Sequence, residues 1–303
     1  MLEQASSFAS GVDFVFWFIT GISVFFLILI TVLMIYFAIR YSRKRNPVPK
    51  DIEGNAILEV LWTVIPTILV LMMFWYGWDA FKIMRNPPAD AIVVKVTGQM
   101  WQWTFEYPNG KESQELYVPL NKAVKTDLIS RDVNHSFFIP AFRVKEDVIP
   151  GQANYTWFMA TELGTFDIEC AEFCGQRHAY MLSKVHVVPE DEFNAWLTAV
   201  DRVAAAEPKG LQLVKGKGCI ACHSLDGTAV VGPSFKGLYG KTETVVTGGA
   251  ERAITVNEGY IATSILEPMA DVVKGFSPIM PSFKGQLSDE EIAEIVNYLK
   301  ELN

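Results

Sequence analysis

Two long apolar runs near the N-terminus limit what this chain can fold into more than any other feature. Residues 14–39 carry no charged side chain and are rich in Phe, Ile and Leu. At 1.5 Å per residue a helix of that length spans about 39 Å, enough to cross a bilayer with some tilt. Residues 57–78 are the second predicted span, interrupted by Glu59 and Pro66, and proline is tolerated in membrane helices where neighbours re-satisfy the backbone. Trp75, Tyr76 and Trp78 crowd its far end as an interfacial belt.

The loop between the runs holds Arg40, Arg43, Lys44, Arg45 and Lys50, whereas the residues before the first run contain no Lys or Arg. The positive-inside rule therefore places the loop in the cytoplasm and both termini outside. Met1 to Gly11 lacks the basic start of a signal peptide, so the first helix is expected to be retained. A formal net charge of −8 argues against nucleic acid as a partner.

Beyond this hairpin, assigned to residues 1–85, the composition changes. Short β-rich runs such as W-Q-W-T-F-E-Y and T-F-D-I-E-C alternate with turn signals, among them Pro108-Asn109-Gly110 and Pro150-Gly151. Residues 86–200 are thus predicted as an all-β sandwich or barrel. Residues 188–206 look helical, with Phe193, Trp196, Leu197 and Val200 on one face. Residues 201–209 serve as a linker, and 210–303 form a last domain. Its final helix is marked by a capping box at Ser288 and Glu291 and by a stripe of Ile292, Ile295, Val296 and Leu299.

Each exterior domain carries a motif with chemistry. Residues 170–181 read C-A-E-F-C-G-Q-R-H-A-Y-M, placing Cys170, Cys174, His178 and Met181 in one short loop. Soft sulfur donors, imidazole and a weak thioether are a copper ligand set, and zinc fits poorly because Met is not among its usual ligands. Two thiolates can bridge a pair of copper ions if a second imidazole arrives from elsewhere, and His135 in D-V-N-H-S-F-F-I-P is the candidate. The competing reading is a Cys170–Cys174 disulfide or two buried thiols. The last domain opens on C-I-A-C-H, Cys219 to His223, the attachment signature of c-type haem, in which the two Cys bind the porphyrin and His223 the iron. A Met on the opposite iron face raises the reduction potential. Met280, in a Pro-flanked loop ahead of the final helix, is preferred for that role over Met269.

Together these features resemble subunit II of the haem-copper cytochrome c oxidases, in the bacterial form with a fused cytochrome c domain, over essentially the whole chain. The resemblance implies a multi-domain membrane protein: a two-helix transmembrane hairpin, an all-β cupredoxin-like domain and an all-α cytochrome c domain. It implies a dinuclear copper A centre held by His135, Cys170, Cys174, His178 and Met181, with the Glu172 backbone carbonyl as a further ligand. The Glu172 side chain matches a position that ligates magnesium at the interface with subunit I. Trp101 matches the position where electrons reach copper A, and Glu59 a carboxylate near the mouth of a proton channel in subunit I. The implied partners are subunit I and other oxidase subunits, membrane lipid, and a cytochrome c or another respiratory complex as donor. The implied location is the bacterial plasma membrane, with both cofactor domains on its outer side. Departures from the family pattern are Arg177, where many relatives have Asn, and Met100 and Gln102, in place of common Gln and Tyr. His186 is read as non-functional. A quinol oxidase subunit would lack the copper ligands. A membrane-anchored copper carrier and a relay subunit of a nitric oxide-reducing complex stay open as alternatives.

Overall fold

A computed structural model describes residues 3–48, 51, 53–199 and 207–302. Lys50, Val200 and positions 201–206 of the expected helix end and linker lie outside the described residues. Helix α1 (Ala9–Arg40) and helix α2 (Ala56–Met84) pair as a hairpin, each extending several residues beyond the apolar run that marks it. Both are long and apolar enough to cross a membrane, with mean hydropathies of 2.9 and 2.2, and neither is buried within the chain itself. Asn55 caps α2 by accepting from the Leu58 amide at 3.1 Å, which explains the helix start two residues before Leu58. Phe14 and Phe18 of α1 both meet the Tyr76 ring of α2 edge-on at 5.4 Å.

A β-sandwich follows. One sheet orders β3 (Glu112–Ser113), β2 (Gln102–Glu106), β1 (Ile92–Gln99), β5 (Ala123–Ser130) and β8 (Asn154–Met159) side by side. The other orders β4 (Leu116–Pro119), β10 (Leu182–Val188), β9 (Gly164–Cys170), β6 (His135–Ile139) and β7 (Val144–Val148). Inward positions alternate along the strands, as the period of two requires, and Trp103, Phe105, Phe137, Ile139, Phe158 and Ile168 fill the space between the sheets. Helix α3 (Glu190–Thr198) closes one side, with Trp196 stacked on Tyr117 at 4.2 Å.

The sandwich is fastened to the hairpin through the last carbonyls of α2, which no helical amide can reach. The Trp157 indole donates to the Ile83 carbonyl at 3.1 Å and the Tyr155 hydroxyl to the Arg85 carbonyl at 3.0 Å. Arg85 pairs with Glu146 at 2.7 Å, and Arg143 with Asp13 of α1 at 2.8 Å. These ties fix the height and tilt of the sandwich over the membrane helices.

The C-terminal domain packs α4 (Lys209–Gly216), α5 (Glu258–Leu266) and α6 (Asp289–Glu301) around Val214, Ile261, Ile265, Ile292, Ile295, Val296 and Leu299. The capping box is present, with Ser288 accepting from the Glu291 amide and Glu291 from the Ser288 amide. The domain is helical as expected, but it also contains a small sheet of β11 (Thr242–Thr247), β12 (Ala250–Thr255) and β13 (Val272–Val273). An all-α reading therefore omits a hairpin. Its tight Gly248-Gly249 turn, with φ of 55° and 89°, uses the left-handed backbone that glycine adopts without steric cost.

Candidate functional site

The sulfur-rich loop sits at one end of the sandwich, between the end of β9 and the start of β10. Cys170 closes β9 and faces Cys174 with 3.7 Å between the sulfurs, and both thiols are free. The first residue of β6, fully buried His135, brings its Nδ1 to 3.9 Å from the Cys170 sulfur. Donor atoms of His135, Cys170 and Cys174 lie within 4.8 Å of one another. His178 Nδ1 stands 3.5 Å and Met181 Sδ 3.9 Å from the Cys174 sulfur, and Cys170 Sγ reaches the Glu172 carbonyl at 3.3 Å. All six expected ligand groups thus converge around the two sulfurs, with His135, Cys170, Cys174 and Met181 buried and His178 and Glu172 half-buried.

The donor set fits copper in its chemistry as well as its placement. Asp132 accepts from His135 Nε2 at 2.8 Å, so a proton is kept on Nε2 and Nδ1, on the side of the sulfurs, is the nitrogen a metal would take. The Cys170 pKa is held well below the ordinary thiol value, first by the Cys174 thiol that donates to it and then by His135, against the opposing effect of burial. Cys174 is pushed up, because it keeps the proton it shares with Cys170. Burial opposes a charge on His135, but Asp132 and Cys170 together raise its pKa. A cluster that favours a buried thiolate beside imidazole is a site for a soft cation.

Sequence reasoning missed Asp132. Besides His135 it accepts from the Met100 amide at 2.7 Å and the Val133 amide at 2.7 Å, so one carboxylate orients the imidazole and anchors the turn after β1. Its signal was an acid three residues before the ligand histidine. Trp101, the expected electron-input residue, is 5% exposed and donates its indole N–H to the Cys174 carbonyl at 3.0 Å. Glu59 lies in the first turn of α2, on an exposed face and far along the chain's fold from the sulfur loop. His186 is bonded to Glu115 at 2.8 Å and Thr165 at 3.0 Å and stacks on Tyr117, away from the sulfur cluster.

The second site is an open, mostly apolar cleft in the C-terminal domain. Cys219, Cys222, His223 and Met280 all line it, among apolar walls that include Phe235, Ile261 and Leu299. His223 stacks on Phe235 at 4.4 Å and donates from Nδ1 to the Pro233 carbonyl at 2.7 Å, leaving Nε2 as the free lone pair. Burial lowers the His223 pKa and so favours the neutral ligand form, and burial pushes Cys219 and Cys222 up to about 11. Gly232 is required here, because a Cβ would stand 2.6 Å from the His223 ring. Met269 lines the same cleft but is 53% exposed, whereas Met280 packs against the helical core. These residues fit a large flat apolar group bound through two sulfurs and one imidazole.

Fold and sites define a class: a membrane-anchored redox protein with a cupredoxin-like domain and a cytochrome c domain. The family models that match are "Cytochrome C oxidase subunit II, transmembrane domain" over residues 1–79, "Cytochrome C oxidase subunit II, periplasmic domain" over 110–188, and "Cytochrome c" over 208–303. Cytochrome c oxidase subunit 2 of Alkalihalophilus pseudofirmus is 32% identical, with 94% of this chain and 85% of that protein covered. The subunit 2 of Cereibacter sphaeroides is 31% identical over 64% of this chain and 77% of its own length. Among solved structures, the periplasmic domain of cytochrome oxidase subunit II of Bradyrhizobium japonicum is 39% identical, covering 37% of this chain and 93% of that one at a TM-score of 0.35. The chain belongs to the cytochrome c oxidase subunit II family. It is a subunit of a cytochrome c oxidase, anchored in a membrane, whose two exterior domains are of the copper-binding and haem c-binding types.

Proposed function

We propose that this chain is the electron-input subunit of its oxidase. It takes up single electrons from a reduced donor at the C-terminal domain, carries them into the sandwich, and delivers them to subunit I, where dioxygen is reduced to water with proton pumping. Bound haem c and a dinuclear copper A centre supply the one-electron redox chemistry.

Each residue then has a task. Cys219 and Cys222 would anchor a haem, and His223, oriented by Pro233, and Met280 are the residues that would hold its iron. His135, Cys170, Cys174, His178, Met181 and the Glu172 carbonyl would hold the copper centre, which would supply one-electron redox chemistry. The sandwich scaffold keeps these donors from moving when the metal charge changes, which keeps the reorganisation of each transfer small. The Glu172 carboxylate holds magnesium at the subunit I interface, and Glu59 faces the proton channel mouth from α2. Arg40, Arg43, Lys44 and Arg45 keep the hairpin loop in the cytoplasm, so both exterior domains face the outer side of a bacterial plasma membrane. A cytochrome c or another respiratory complex is the donor.

The observation that carries this reading is the meeting of the two sites. Gln99 and Met100 form part of the wall of the C-terminal cleft, and the next residue, Trp101, bonds directly to the Cys174 backbone. The test is paired optical and electron paramagnetic resonance spectroscopy on the full chain in detergent, matured with haem and loaded with copper. A c-type haem spectrum together with hyperfine coupling to two equivalent copper nuclei is expected. A single-copper signal, or Cys170 and Cys174 oxidised without copper, would favour a copper carrier.

A further inference from the structure

Like α2, helix α4 ends in carbonyls that its own amides leave unsatisfied. At this end the Gly218 amide reaches the Lys215 carbonyl at 3.1 Å, and further donors come from the other domain. The Gln114 side-chain amide donates to the Lys215 carbonyl at 2.8 Å, and the Gln102 amide makes a longer contact to the Gly216 carbonyl at 3.5 Å. The Arg177 guanidinium donates to the Ala221 carbonyl, within the turn that carries Cys219 and Cys222. Gln114 is itself positioned by Ser183, whose hydroxyl donates to the Gln114 backbone carbonyl at 2.6 Å.

At the seam Gly218 has φ of 79°, a left-handed backbone that favours glycine, and it lies beside the end of the Gln102 side chain. Beneath the polar contacts, Cys222, Val231 and Ile279 pack against the core of the sandwich, and a narrow cleft along the seam is lined by Trp101, Arg177, Ile220 and Ala221 among others.

We infer that Arg177 and Gln114, assisted by Gln102, form a clamp that holds the C-terminal domain in one pose, with Met100 closing its cleft and the Cys219–Ala221 turn lying across the seam from Trp101. The inference rests on the function proposed above. In this pose the chain's own C-terminal domain occupies the surface through which an external protein would otherwise reach Trp101. Each transfer across the seam oxidises the C-terminal centre by one electron and reduces the copper centre by one, with no bond made or broken in the protein. The charge of Arg177, a departure from the family pattern, is thereby committed within the chain instead of being displayed to an outside donor.

The test is hydrogen exchange by mass spectrometry on the full chain in detergent with both centres loaded. Peptides spanning 99–103 and 209–223 are compared in the wild type, Arg177→Lys, Gln114→Ala, and the Arg177→Ala/Gln114→Ala double variant. Loss of a charge-assisted bond shifts the docked equilibrium by about tenfold and loss of a neutral one by several-fold, so the double variant should exchange at least tenfold faster. Arg177→Lys should recover part of the protection. Arg177 adjoins His178, so if its alanine variant loses the copper signal, Gln114→Ala alone decides, since Gln114 ligates nothing. Unchanged exchange in variants that keep both spectra would overturn the clamp. Absence of either spectrum in the wild type would instead count against the proposed function.

Discussion

Replacing Asp132 by asparagine removes one charge while preserving size, and the consequences follow from three hydrogen bonds. The Asn side-chain oxygen can still accept from His135 and Val133, but its amide nitrogen then faces the Met100 N–H, donor against donor. Losing that charge-assisted bond costs about 1.5–3 kcal/mol. The weaker acceptor also leaves the His135 Nδ1 lone pair less basic. A carboxylate of this kind behind a ligand histidine is worth about 10–100-fold in metal affinity. Asp132→Ala goes further, because it removes the protein partner of the His135 Nε2–H, His135 being fully buried. That adds about 1–3 kcal/mol for an unsatisfied buried group. The assay is competition of the full chain in detergent with a chromophoric Cu(I) chelator, alongside the copper hyperfine pattern and the melting of the C-terminal domain. Expected are a copper affinity lowered by at least tenfold in Asp132→Asn, an altered hyperfine pattern, and unchanged melting of the C-terminal domain. Affinity within twofold of wild type would refute the orienting role of Asp132.

Other outcomes test separate parts of the molecule. Ile295, 2% exposed in the core of α6, should cost about 2–5 kcal/mol on truncation to Ala, read as a lower denaturation midpoint of the C-terminal domain. Asp271 has its pKa lowered, first by the Thr247 hydroxyl and then by Arg252. Its contribution is therefore present above the unfolded value and lost as pH falls through the folded one, so melting curves of wild type and Asp271→Asn should converge in acid. At neutral pH they should differ by less than about 1 kcal/mol, because Arg252 is half exposed. Met181→Leu should leave the sandwich folded, since Met181 is fully buried among apolar neighbours and the swap conserves volume, yet change the copper spectrum and slow electron delivery to subunit I.

The two membrane helices were legible because lipid demands length and apolarity from one continuous segment, and residues 14–39 and 57–78 show both. The sulfur loop and C-I-A-C-H were legible because their donors are close in sequence. His135 was found through its residue type and expected on a separate strand, and the pairing of β6 with β9 that carries it to Cys170 became visible only in the fold. Asp132 escaped because a carboxylate near a histidine is common in any loop, and only the 2.8 Å contact gives it meaning. The β11–β12 hairpin escaped although T-V-V-T-G-G-A-E carries a turn signal, since the haem motif drew the whole domain toward a helical reading. The Arg177 contact could not be read at all, because its acceptor is a backbone carbonyl in another domain, and backbone groups are the same at every position of a sequence.

The central claim is that electrons reach the sandwich by way of the C-terminal domain. Its most direct test is stopped-flow reduction of the copper centre in the assembled oxidase by its donor, comparing wild type with the Cys219→Ala/Cys222→Ala variant. Copper reduction in the variant should fall by orders of magnitude, while a small inorganic reductant still reduces the centre at the wild-type rate. Equal rates with the protein donor in both enzymes would show that the C-terminal domain is an accessory and that Trp101 accepts electrons directly.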